Sequence, residues 1–232
     1  MNIIGILSWY DEQPSWLAGV VASLHKAEIS HLVAVDGAYA LYPEGRPYSG
    51  AQQHGAILET CAGLQVGCTI VTPQEIWWGN EVEKRNHAFQ IAETVSTEDD
   101  WYFLVDADHF VTSALGLKHY LSETDCDVGE VRFWERYGIA GEGACPLRCI
   151  FRAIRGLRFD TNHFTYRTPD GRNLHDPKEP AANLSMVEVE HRTTQRFDDR
   201  KDRQQRYYHR RDELRVEYPP EEASLEADMA SE

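Results

Sequence analysis

Apolar positions along the first hundred residues switch repeatedly between two spacings. Residues 2–7 are apolar after Asn2 and rich in β-branched side chains, which predicts a strand. Leu17, Val20, Val21 and Leu24 then recur at i, i+3, i+4 and i+7, one face of a helix over residues 15–25. Pro14 stands at that helix's start, where its missing N–H costs nothing. Residues 31–35 predict a second strand, ending at Asp36-Gly37. A Pro/Gly/Tyr-rich loop over 38–50 leads to a helix near 51–64, and residues 67–71 give a third strand. Ala88, Ile91, Ala92 and Val95 mark the apolar face of a helix over 82–95, and the nearly all-apolar run 101–105 follows. Strands alternating with helices predict an α/β fold, an open, mostly parallel sheet covered on both faces. Ligands of such sheets bind beyond the carboxyl ends of the strands. Ser8, Asp36, Thr72 and Asp106 fall at that edge.

The second half is less regular. Residues 128–133 and 149–153 read as strands, 161–180 as polar and turn-rich, and 186–189 as a short strand ending in Glu190-His191. Residues 198–214, dense in charge and tyrosine, predict a surface helix. Beyond Pro219-Pro220 the chain carries acids without a basic residue and little to bury, the composition of a disordered tail. These shifts divide the chain at 1–110, 111–195, 196–217 and 218–232.

Composition narrows the function. The 232 residues suffice for one substantial core. A formal net charge of -15 at pH 7 argues against a dedicated nucleic-acid surface. No apolar run reaches the length of a membrane span, and residues 1–7 read as a strand, not a signal peptide. Five scattered cysteines fit a reducing compartment, so a cytoplasmic protein is expected. Cys145 and Cys149 lack the second pair that a zinc site needs.

The chemistry gathers at Asp106-Ala107-Asp108. Two carboxylates at i and i+2 project to one side of an extended backbone, and a strand end can offer both to a hard divalent cation. No Gly-x-Gly-x-x-Gly follows the first strand, and no Gly-x-x-x-x-Gly-Lys-Ser/Thr loop occurs. Any phosphate must therefore be held by metal and cationic side chains. Lys84-Arg85-Asn86, at a predicted helix start, supplies such cations where free N–H groups already favour an anion. Asp36 either accepts from a base or ribose or caps the next turn.

Taken in order, these pieces resemble a family 2-type glycosyltransferase of the GT-A fold. The match runs through Ser8, Val35-Asp36-Gly37, Lys84-Arg85-Asn86-His87-Ala88 and Phe103-Leu104-Val105-Asp106-Ala107-Asp108. It continues loosely in Phe151-Arg152 and Gly156-Leu157-Arg158-Phe159-Asp160. The resemblance implies a GT-A, Rossmann-like sheet whose first 110 residues bind a nucleotide-sugar and whose residues 111–195 face the acceptor. It implies Ser8, Asp36, Lys84, Arg85 and Asp106 around the donor, a UDP- or GDP-sugar. Asp108, with Asp106 and a late histidine for which His191 is the candidate, would hold Mn²⁺ or Mg²⁺. The acceptor is an unidentified hydroxyl on a glycan, lipid, protein or modified nucleic acid. Inverting members carry a Glu-Asp pair after the Gly-x-Phe stretch, and this chain does not; Asp160, His163 and Asp176 are the candidate bases. A sugar-phosphate nucleotidyltransferase would need a Gly-rich basic loop after the first strand, which residues 8–14 do not offer. A non-catalytic nucleotide-sugar binder is the third reading. Trp77-Trp78 either frames a sugar or packs inward, and Arg203, Arg206, Arg210 and Arg211 read as a solvated helix face, with contact to an anionic acceptor such as a phospholipid head or nucleic acid as the alternative.

Overall fold

The computed structural model describes residues 1–40, 42, 46–75, 78–135, 144–160, 165–192, 195–196 and 198–213. His163, Trp77 and the acidic segment 218–232 lie outside them. The predicted alternation is realised as β1 (Ile3–Ser8), α1 (Pro14–Leu24), β2 (His31–Val35), α2 (Ala51–Gly63), β3 (Gly67–Val71), α3 (Glu81–Thr94) and β4 (Trp101–Asp106). Then follow β5 (His109–Ala114), α4 (Leu117–Glu123), β6 (Val128–Glu135), β7 (Ala144–Arg152), β8 (Arg158–Phe159), β9 (Tyr166–Arg167), β10 (Ala182–His191) and α5 (Asp198–Glu213). Four of these, β5, α4 and the two-residue strands β8 and β9, are not marked by the hydrophobic pattern. Only a two-residue turn separates β5 from β4, and α4 has seven residues, too few to display a helical period.

Eight strands form one sheet in the order β3-β2-β1-β4-β7-β6-β10-β5. Four of the seven pairings are parallel, so the sheet is mixed and mostly parallel. Its register fixes where the chemistry lies. Ser8 is level with Val35 on one side and with Asp106 on the other. Strand β7 runs against both β4 and β6, and β10 runs with β6. The carboxyl ends of β1, β2, β4, β6 and β10 therefore share one edge. Strand β5 runs against β10, so it starts at that edge, with His109 level with His191.

Side-chain alternation divides the core into two layers. Ile3 and Leu7, Leu32 and Ala34, and Trp101, Phe103 and Val105 face α1, α2 and α4, which bring Leu17, Val20, Ile57, Leu117 and Leu121. Ile4 and Ile6, Val33 and Val35, and Tyr102 and Leu104 face α3 through Ala88, Phe89 and Ala92, with Phe159 and Tyr166 beside them. Helices thus cover both faces of the sheet. Among the described residues no helix is long and apolar enough to cross a membrane.

Helix α5, with Tyr42, belongs to a second compact unit. Within it the Arg200 guanidinium donates to the Tyr42 hydroxyl at 2.8 Å, and the Tyr42 and Tyr207 rings lie 5.8 Å apart. Arg206 and Arg210 are exposed there.

The turn after β2 depends on a glycine. Gly37 has φ +119°, and a Cβ there would stand 2.7 Å from Trp78 Nε1 and 2.8 Å from Pro73 Cδ. Trp78 cannot retreat freely, because its Nε1 donates to the Asp36 carbonyl at 2.7 Å. Gly37→Ala is expected to cost on the order of 2–4 kcal/mol of stability, from backbone strain plus the clash. Urea denaturation checks this.

Candidate functional site

The site grows from the end of β4. Alternation stops at Asp106, because Ala107 and Asp108 form a turn into β5. The two carboxylates consequently do not project along one extended backbone as the i, i+2 spacing predicts; they serve different partners. Asp106 stays on the α3 side, where the Arg85 guanidinium donates to both of its oxygens at 3.1 Å. Arg85 is itself braced by Glu81 at 2.8 Å and lies over the Phe159 ring. Asp108 lies 94% buried, in contact with β10 and the segment beyond it.

Among the described residues, His191, Arg196 and His109 converge on Asp108. His191 Nε2 lies 3.0 Å from Oδ2, Arg196 Nη1 3.2 Å from the same oxygen, and His109 Nε2 4.0 Å from Oδ1. Burial, the largest single influence, pushes the Asp108 carboxyl up, but His191, Arg196 and His109 together hold it well below the usual carboxylate range. Arg196 spans two acids, with Nη2 3.1 Å from Glu12 Oε1, and both Arg196 and Glu12 are buried. The backbone reinforces the meeting: Arg192 N–H donates to the Asp108 carbonyl at 2.8 Å. Burial lowers the His109 pKa despite the nearby Asp108 and Asp106 carboxylates, which favours the neutral ring that can ligate a metal.

Asp108, His109 and His191 each offer a ligand atom, and these lie within 4.8 Å of one another. The residues fit a divalent ion on two grounds. Carboxylate and imidazole are ordinary partners for such ions. The 3.0 Å between Asp108 Oδ2 and His191 Nε2 is also close to the roughly 3 Å separating neighbouring donors each about 2.1 Å from one ion. The proton they share occupies the place a cation would take, so binding would release it. His109 Nδ1 accepts the Asp106 N–H over a long 3.3 Å, and ligation through Nε2 would exchange that contact for a proton on Nδ1. Asp106 lies outside this three-residue group.

The remaining predicted residues are distributed around the same edge. Lys84 is buried, and its ammonium donates to the carbonyls of Trp9 at 2.6 Å and Gly37 at 2.9 Å, the residues that follow β1 and β2. Asp36 is fully enclosed; it accepts from Ser49 N at 2.6 Å and Ser49 Oγ at 2.8 Å, and meets His54 Nε2 at 2.7 Å. Ser8, Val35, Lys84, Arg85 and Leu104 line a crevice with about 10 Å³ of room, enough for a single water. Asp160 pairs with Arg167 through its Oδ2 and follows Phe159, whose N–H and carbonyl are both bonded to the Asn86 amide at 2.7 and 2.9 Å. Asp176 caps a turn by accepting from Lys178 N at 2.8 Å, while its carbonyl accepts from Arg148 at 2.7 Å.

Sequence reading missed Glu12, His109 and Arg196. His109 adjoins the paired aspartates and was open to notice. Glu12 and Arg196 lie in connecting segments 184 positions apart, and only the tertiary fold joins them.

No protein-family model matches the chain, and no curated protein does. Among solved structures, S. aureus TarS superposes with a TM-score of 0.46 at 17% identity, over 66% of this chain and 28% of that one. S. aureus TarS 1-349 in complex with UDP-GlcNAc gives 0.44 at 18% identity, over 61% and 37%. A mycobacterial protein gives 0.47 at 13% identity, over 83% and 68%. The chain thus spans 28% of the full TarS chain. At such levels of likeness the function has to be read from the site.

Proposed function

We propose that this chain is a metal-dependent glycosyltransferase of the GT-A type, moving a sugar from a UDP- or GDP-sugar to a hydroxyl acceptor. The observation that carries the reading is the meeting of Asp108, His109 and His191 at the carboxyl edge of the sheet. Two further features support it. Four parallel strands followed by the antiparallel β7 give the Rossmann-like half that the resemblance implies. Arg85 and Asp106 stand at the same edge, paired and only partly exposed, where a nucleotide would lie.

In this account Asp108 and His191 hold the cation, with His109 as the third ligand, and Arg196 keeps positive charge beside the same carboxylate. A bound divalent ion would offset the charge that develops on the departing nucleoside diphosphate. Two imidazoles in the donor set favour Mn²⁺ over Mg²⁺, which prefers oxygen ligands throughout. Asp160 is the proposed base of an inverting transfer. The Asn86 side-chain amide, bonded to the Phe159 backbone, ties it to α3, the helix that carries Arg85.

The test is to incubate the protein with UDP- and GDP-sugars and follow nucleoside diphosphate release. Release from at least one donor is expected, faster with Mn²⁺ than with Mg²⁺ and abolished by EDTA. Release of pyrophosphate from a nucleoside triphosphate and a sugar phosphate would replace the reading with nucleotidyl transfer.

A further inference from the structure

Far from the acidic site, the chain brings together two of its five cysteines. Cys61 lies in the last turn of α2, and Cys68 is the second residue of β3. Between them the backbone doubles back, with Val66 N–H donating to the Cys61 carbonyl at 2.9 Å. Both side chains therefore enter the same apolar layer, where Cys61 is fully buried and Cys68 packs against the cluster from its rim. Val66 and Cys68 are two residues apart on the extended chain and pack into this one layer, so the Cys68 side chain follows Val66 back toward Cys61.

The geometry points to a redox-active dithiol: we propose that Cys61 and Cys68 are oxidised by a hydroperoxide to a disulfide that joins the end of α2 to the edge strand β3. Three observations favour this pair over the other cysteines. The Val66–Cys61 backbone bond sets the end of α2 beside the start of β3, so the two thiols occupy one side of a single tight connection. Cys68 is partly exposed and stands on the outermost strand of the sheet, within reach of a small oxidant. The neighbouring Cys61 thiol lowers the Cys68 thiol against the opposing effect of burial, so Cys68 is the better nucleophile of the two. By contrast, burial pushes the Cys149 thiol up, which makes it inert.

The chemistry balances in two steps. The Cys68 thiolate attacks the distal peroxide oxygen, the O–O bond breaks, and the departing alkoxide or hydroxide takes up a proton; Cys68 becomes a sulfenic acid. The Cys61 sulfur then attacks the Cys68 sulfur, the S–S bond forms, the S–O bond breaks, and hydroxide leaves as water with the Cys61 proton. The dithiol loses two electrons in all, and the peroxide gains them. Because α2 carries His54, which meets Asp36 at the helix's other end, the bond would fix this helix to the sheet from its far side.

The test uses the full chain with the exposed Cys145 replaced by serine. The protein is exposed to hydrogen peroxide, denatured, alkylated and weighed. Two of the four remaining thiols are expected to escape alkylation, peptide mapping should place them at Cys61 and Cys68, and dithiothreitol should restore both. In Cys61→Ser, Cys68 should instead proceed to sulfinic acid, since its resolving partner is gone. Four alkylated thiols after oxidation, or a disulfide mapped to any other pair, would overturn the assignment.

Discussion

Asp108→Asn is expected to lower turnover by about 10²–10³-fold while leaving the fold intact. Asparagine keeps the shape of the side chain and one oxygen that can still accept from His191 or Arg196, but it removes the negative charge. Alanine would be the poorer choice. It would take a carboxylate partner from the buried Arg196 guanidinium, and removing one member of a buried ion pair costs about 3–5 kcal/mol. Nucleoside diphosphate release, read beside the melting temperature of the same sample, checks the result. Wild-type turnover in Asp108→Asn would remove this carboxylate from the chemistry.

The second large effect is structural. Lys84→Met should lower stability by about 2–5 kcal/mol, because two buried carbonyls, of Trp9 and Gly37, lose a charged donor and the replacement offers none. These carbonyls belong to the turns that follow β1 and β2, so the lysine braces the edge on which the site is built. Equilibrium urea unfolding gives the number. A change below about 1 kcal/mol would mean that water replaces the ammonium without loss.

Much of the sheet was legible in the sequence for a simple reason. Strands β1, β2 and β4 are covered on both faces, so their runs are almost wholly apolar, and α1 carries a clear 3.6-residue stripe against them. The half beyond Asp108 was harder. Strand β10 extends over ten residues, yet only residues 186–189 read as a strand, because the rest alternates with polar residues and its register with β6 shifts. At the site, the strand end drew attention to Asp106 and Asp108 but did not give their directions, since the chain turns immediately after Asp106. Lys84 and Asp36 show the same limit. A charged residue at a strand or helix end has the same sequence signature whether it meets a ligand or its own backbone, and here both engage groups of their own chain. The convergence of Glu12, Asp108, His191 and Arg196 depends on where β10 joins the sheet, which no local pattern encodes.

Calorimetric titration of the protein with UDP and GDP, in Mn²⁺ and then in EDTA, tests the central claim most directly. At least one nucleoside diphosphate should bind in Mn²⁺ and lose that binding in EDTA, and His191→Ala should weaken the Mn²⁺-supported binding. Nucleoside diphosphate affinity that is the same in EDTA as in Mn²⁺ would contradict a metal-bridged donor site at Asp108.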